Sequence, residues 1–414
     1  VTHSPESADC DIAIVGGGLV GASLALALTG LGYSIALVEA VLPEDDAQPS
    51  FDTRTTALSN GSRRVFEGLG VWDEMAREAT PIRQIHVSER GRFGSAVIDA
   101  AEEGLPALGF VVENRVAGRA LWRRLRHASD VRLLAPAQVA SAVVEDSVSR
   151  IELTDGRVLR ARLAVAADGI ASRVREGAGV GTTQSDYGQV AVIAQATPGH
   201  FHAHVAYERF TPSGPIAALP IPEGRVGLIW TLEPDAAQRV LALDDQGFLQ
   251  QLQEAFGWRL GKFRSVGIRH AYPLTLVKAE AAEAPRTAII GAAAQGMHPI
   301  AGQGLNLGLR DAATLAEVLA ESAQLQDPGS PEILTRYAQW RRTDRNAMIG
   351  FTDGLVRLFG SRIGPVRIAR GLGLVLFDLS PTAKSAMSKL SQGFAGRLPR
   401  LSRGLPLRRS GVPS

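Results

Sequence analysis

Three short turns hold the residues of this chain that could do chemistry. The first, Gly16-Gly17-Gly18-Leu19-Val20-Gly21, is a G-x-G-x-x-G run, followed 18 residues after its last glycine by an acid, Glu39. Gly16 permits a tight turn, Gly18 lets backbone amides approach a pyrophosphate, and Gly21 brings a helix close to its strand; the acid suits ribose hydroxyls. The second turn lies in Gly291 to Asp311 and contains Pro299, Gly302, Gln303, Gly304, Leu305, Asn306 and Gly308. Its glycines can bring N–H groups and a helix N-terminus against a planar or anionic ligand. The third, Asp168-Gly169, separates an apolar run from a basic one. Arg54 and Arg119 are weaker candidates, because an isolated arginine usually faces solvent.

Each turn needs a strand before it and a helix after it, and the patterning supplies both. Cys10 to Val15 is a β-branched strand run, a helix carries Leu24, Leu26, Ala27 and Leu28, Gly30 and Gly32 end it, and Ser34 to Val38 reads as a second strand. With strand, helix, second strand and acid all present, this βαβ unit predicts dinucleotide binding. Leu163 to Ala167 reads as the strand before Asp168-Gly169, with a helix starting over Ala171 to Arg175. Ala288 to Ile290 reads as the strand before the second glycine turn, with Leu305, Leu309, Ala312, Leu315 and Leu319 on the helix after it. Arg54 precedes a helix predicted from Ser59 to about Gly68–Gly70, and Arg119 lies on one predicted over Asn114 to Arg126.

Short alternating runs between Ile82 and Val112, and again from about Gln184 to Arg269, read as antiparallel strands of a second sheet, where a substrate would sit. His200, His202 and His204 would share one face of such a strand. No acid or cysteine lies beside them, so no metal is expected. Pro331 to Ile349 is helical by pattern, and helical pieces continue to about Gln392. The expected division is a nucleotide-binding domain in three parts (1–81, 113–183, 272–345), substrate-side strands (82–112) and sheet (184–271), and C-terminal helices with a basic tail (346–414).

Composition narrows the class. A chain of 414 residues with 45% hydrophobic content supports more than one substructure. A net charge of +2 argues against a nucleic-acid partner, and the single cysteine, Cys10, points to a reducing compartment. The first residues are polar and acidic, unlike a secretory leader, so a cytoplasmic location is expected, with a peripheral position on the inner membrane open. After Asp378 there is no acid, while Lys384, Lys389, Arg397, Arg400, Arg403, Arg408 and Arg409 are interleaved with apolar residues. Such a tail suits an anionic membrane surface or a partner complex.

The three motifs, in this order, resemble those of the single-component FAD-dependent aromatic hydroxylases (class A flavoprotein monooxygenases). HPIAGQGLNLGLRD and the terminal GRLPRLSRGLPL are similar to the branch that serves ubiquinone biosynthesis. The resemblance covers Asp11 to about Leu407. It implies an α/β fold like that of p-hydroxybenzoate hydroxylase: a Rossmann-like FAD-binding domain with an inserted antiparallel-sheet substrate domain and a helical C-terminal region. It implies FAD, with NADPH or NADH as co-substrate. The substrates would be O2 and a lipophilic phenol of the 2-polyprenyl-6-methoxyphenol type, hydroxylated through a flavin C4a-hydroperoxide. It places Arg54 beside the flavin and its phosphates, Arg119 facing the flavin, and Asp168-Gly169 under the glycine turn, near the pyrophosphate and the nicotinamide. Pro299 would wall the flavin ring, and Gly302 to Asn306 would run along its pyrimidine edge. It names no acid–base catalyst and no metal. His298 is the nearest polar candidate, with a structural hydrogen bond as an equal reading. The family motif has Asp, or in this branch often Asn, where this chain has Ala292, and often His where it has Gln295. A flavin reductase on the same scaffold, and a non-catalytic membrane-associated subunit with weakened FAD binding, are the alternatives.

Overall fold

The computed structural model describes residues 8–42, 54–92, 94–297, 302–322, 327–360, 373, 376–393 and 396–407. Expectations for Pro299 and His298, and for Arg408 and Arg409, fall outside them.

The nucleotide-binding part is built on a parallel sheet. Its strands run in the order Thr287–Ile289, Val158–Ala166, Cys10–Val15, Ile35–Val38, Val131–Leu134. Where both faces are covered the strands run apolar, as in Ile12 to Val15, Ile35–Val38 and Leu163 to Ala166, all buried. Ile12 and Ile14 pack against helices Leu19–Leu28, Asn114–Leu125 and Gln303–Glu321 on one side. Ala13 and Val15 pack on the other side against the hairpin of Val139–Glu145 and Val148–Leu153.

Register decides where the site falls. Val15 pairs with Ala166, and Ala166 with Ile289, so three strands end on one line. Immediately beyond them come Gly16, Asp168 and Gly291, the three turns singled out from sequence. Ligands of open α/β sheets bind at this carboxyl edge.

A second, nine-stranded sheet is antiparallel except where Val205–Thr211 runs parallel to Gln84–Glu89. Its long strands cross the expected domain boundaries. Thr182–Thr197, irregular at Asp186 to Gln189, runs past residue 183, and His270–Ala279 runs past 271. The expected 82–112 block is also divided. Gln84–Glu89 and Ser95–Asp99 join this sheet, whereas Thr80–Ile82 and Gly109–Glu113 pair in a three-stranded sheet with Thr55–Ser59. Two helices that strand patterning left unmarked, Pro234–Leu241 and Asp245–Phe256, cover one face through Ala237, Val240, Phe248, Leu252 and Phe256. Proline in the first turn of the former and an Asp244 cap on Gly247 N–H in the latter are their local start signals.

The three histidines do not share a strand. The strand begins at Val205, and Ala203 and His204 take left-handed conformations, with φ of 49° and 62°. Buried His202 instead bonds the Ile221 carbonyl at 3.1 Å and accepts from His204 N–H at 3.1 Å. Among the described residues no group of three His, Cys, Asp or Glu is placed to hold a metal.

Candidate active site

The glycine turn is shaped by contacts that exclude any side chain. Gly16 has a φ of 103°, and a Cβ there would lie 2.3 Å from the Ala167 carbonyl oxygen. A Cβ on Gly21 would lie 1.9 Å from the Gly16 carbonyl oxygen, so Gly21 acts by helix–strand packing and is not at the cavity surface. Helix Leu19–Leu28 starts at Gly18 without a side-chain cap, and helix Gln303–Glu321 starts the same way at Gly302, whose φ is 59°. Both helices therefore present N–H groups and the positive end of a dipole to whatever lies beyond them.

What lies beyond both is one cavity of about 770 Å3. Gly16, Gly18, Leu19, Val20 and Glu39 line it, together with Arg54, Asp168 and Gly169. Gly302, Gly304 and Leu305 also line it, as do Ile193, Leu219 and Ile229 of the antiparallel sheet. The Glu39 carboxylate is fixed in the lining by accepting from Gly17 N–H at 2.6 Å and Val41 N–H at 3.1 Å. The Arg54 guanidinium lies 5.0 Å from the Tyr272 ring centre, over its face. Asp168 Oδ2 accepts from Arg173 N–H at 2.8 Å, while its buried Oδ1 has no partner. Burial pushes the Asp168 carboxyl above the usual range, against the opposing bonds from Ser172 and backbone amides. Two uncapped helix ends suit an anionic pyrophosphate, the orphaned Asp168 oxygen suits a hydroxyl donor such as a sugar OH, and Gly304 leaves open space, so the residues present fit FAD.

Four expected site residues stand elsewhere. Arg119 is half-exposed, pairs with Glu78 at 2.5 Å and Glu74 at 4.0 Å, and does not line the cavity, because its helix turns Val116, Ala120 and Leu121 inward instead. Asn306 is committed to the protein. Its Oδ1 accepts from Ser59 N–H (2.9 Å) and Ser62 Oγ (2.7 Å), and its Nδ2 donates to the carbonyls of Ala57 (2.9 Å) and Gly302 (2.8 Å). It clasps the second glycine turn, and no side-chain hydrogen bond is left over for a flavin. Gln303 is buried and, like Gly21, absent from the lining.

Local patterning did not reveal the residues that hold the turns still. Trp122 donates from Nε1 to the Gly17 carbonyl at 2.8 Å. The loop around Ala292 is held from several sides. Asp311 Oδ2 accepts from Gly291 N–H (3.1 Å) and Gln295 Nε2 (2.8 Å), and Tyr337 donates to the Ile289 carbonyl (3.0 Å). Arg175 and Arg345 donate to the carbonyls of Ala293 (2.9 Å) and Ala294 (3.0 Å). Gln295 thus has a structural task. Asp311, fully buried, is paired to Arg341 Nε at 2.7 Å.

The family model for the FAD binding domain matches residues 9–352. The chain is similar to ubiquinone hydroxylase UbiL of Rhodospirillum rubrum, 40% identical over 412 residues, covering 98% of this chain and 95% of that one. It is also similar to 3-demethoxyubiquinol 3-hydroxylase of Escherichia coli, 34% identical over 388 residues, covering 92% and 98%. The crystal structure of p-nitrophenol 4-monooxygenase PnpA from Pseudomonas putida DLL-E4 superposes with a TM-score of 0.76 at 20% identity, over 94% of this chain and 99% of that one, which shows a shared fold. The family match spans all three turns and the sheet inserted between them, and on that ground the chain belongs to the FAD-binding-domain family, as an FAD-dependent aromatic monooxygenase of the ubiquinone-hydroxylase branch.

Proposed function

We propose that this enzyme hydroxylates a polyprenylated phenol of the 2-polyprenyl-6-methoxyphenol type in ubiquinone biosynthesis, with NADPH or NADH as electron donor and O2 as co-substrate. The observation that carries the reading is the single cavity that joins two uncapped helix N-termini to an apolar sheet face. Bound FAD supplies electron transfer from the nicotinamide to O2 and delivery of one oxygen atom to an electron-rich ring. The protein's part is to bind, orient and exclude water. Gly16 to Val20 and Glu39 would hold the adenosine and pyrophosphate, with Arg54 adding positive charge. Gly302 to Leu305 would present N–H groups and a helix dipole to the ring edge where negative charge accumulates on reduction. Ile193, Leu219 and Ile229 would seat the apolar substrate. The long prenyl tail suggests access from a membrane surface, supported by exposed Leu358 and Leu376 and by Leu379 in the turn that follows Leu376.

The test is to add FAD to the purified protein, desalt it, and record the flavin spectrum before and after NADPH in air. Retained flavin that bleaches and reoxidises, faster with a short-chain prenyl methoxyphenol and with hydroxylated product formed, is expected. Reoxidation without hydroxylated product would favour the reductase. A protein that stays colourless in excess FAD would overturn the reading and favour a non-catalytic subunit, with Ala292 as the first place to look.

A further inference from the structure

One carboxyl of the antiparallel sheet, that of Glu208, stands on the face turned toward the cavity. Paired residues across a sheet share a face. The register puts Glu208 opposite Val87 and Ala217, Ala217 opposite Ile229, and Ile229 opposite Ile193. Ile193 and Ile229 line the cavity, so Glu208 stands on the same face of the sheet but beyond the cavity's own lining, two strands from Ile229, or about 10 Å at ordinary strand spacing. Its neighbours Tyr207 and Arg209 fall on the opposite face, where Tyr207 packs on Phe256 of the covering helix. Other elements pack on this face of the sheet beside Glu208. Ala206 and Leu219 cluster there with Phe377 and Met387 of the C-terminal helices.

Glu208 is half-buried, and among the described residues its side chain has no hydrogen bond or ion pair. Burial alone pushes its carboxyl up to about 7. A half-buried carboxyl beside this apolar cluster, with no partner among the described residues, is poorly solvated in the free protein and so calls for an explanation. A ligand that completes its hydrogen bonding provides one.

We propose that Glu208 is the polar anchor of the substrate site, accepting the hydrogen bond of a phenolic hydroxyl while the ring lies against Ile229 and Ile193. This rests on the phenol-hydroxylase reading and adds what selects the phenol. An apolar slot alone discriminates weakly between a phenol and its methyl ether. A site with a buried acceptor rejects the ether, which cannot donate.

The test uses the full chain loaded with FAD and no nicotinamide. A short-chain prenyl methoxyphenol and its O-methyl ether are titrated separately, with the change in flavin absorbance reporting binding. The wild type is expected to prefer the phenol by about tenfold or more. Glu208→Leu should bind the two about equally, with unchanged flavin content. Glu208→Ala repeats the test should leucine overfill the site, and Glu208→Gln, which keeps an acceptor oxygen, should keep part of the preference. Leu and Ala variants that discriminate as the wild type does would overturn the anchor while leaving the hydroxylase reading intact. A wild type that binds both compounds equally overturns the anchor too. A wild type that binds neither overturns both.

Discussion

Ala292 is the residue at which this chain departs most from what its motifs imply. Its side chain is exposed and lines the cavity, on a loop whose neighbours are bonded to Asp311, Arg175 and Arg345. The backbone geometry of the motif is therefore built, and only the side-chain acceptor is missing. Restoring it by Ala292→Asp should add one charge-assisted hydrogen bond to the ribityl chain, about 1.5 kcal/mol or roughly tenfold in FAD affinity. Quenching of flavin fluorescence in a titration measures this. Unchanged affinity would mean that the amides and helix ends already hold the cofactor without an acid. The spacing of the motif made the substitution legible from sequence; that the loop keeps its shape without the acid was not, because the groups holding it come from residues 175, 311 and 345.

At the scale of elements, helix Gln303–Glu321 is where the site is assembled. Its first turn faces the cavity, Asn306 clasps strand Thr55–Ser59, and Asp311 caps the loop after Thr287–Ile289. The Asp311 charge is tolerable only because Arg341 meets it, and Arg341 also pairs with Asp344, which pairs with Arg310 at 2.7 Å. Arg341→Met leaves a buried carboxylate with one cation fewer and should cost about 3–5 kcal/mol of stability. Urea unfolding of the variant measures it; a loss under about 1 kcal/mol would show that Gly291 N–H and Gln295 satisfy Asp311 alone. The helix itself follows from its periodic leucines. Its partners on Pro331–Gly360 do not, since nothing in a helical period says which inward arginine meets which aspartate.

Across the whole molecule, the end of the chain behaves differently from a free basic tail. Leu401 is buried in the core of the nucleotide-binding domain, Arg397 stacks 3.6 Å from the Trp340 ring centre, and Arg400 N–H donates to Glu317 at 2.5 Å. Residues 396–407 thus close over the FAD-binding domain, so the stronger candidates for lipid contact are Leu376 and Leu379, at 67% and 73% exposure. No helix among the described residues is long and apolar enough to cross a membrane. Leu376→Glu with Leu379→Glu should lower flotation with phosphatidylglycerol vesicles by at least about tenfold, since each immersed leucine contributes roughly 1.5–3 kcal/mol. Flotation unchanged by the pair would remove the support these leucines give to a membrane-surface position. By itself the sequence determined the three turns and the βαβ unit, because a positive φ at Gly16 or Gly302 and the alternation of strand and helix are local demands written in residues a few positions apart. The tertiary structure alone decided that Val15, Ala166 and Ile289 end in register, that Trp122 and Asp311 hold the turns, that Arg119 faces away, and that Glu208, unpartnered among the described residues, stands on the cavity-side face of the sheet. Those outcomes depend on pairings between residues far apart in the chain, and no local pattern of residue types encodes which distant partner will be met.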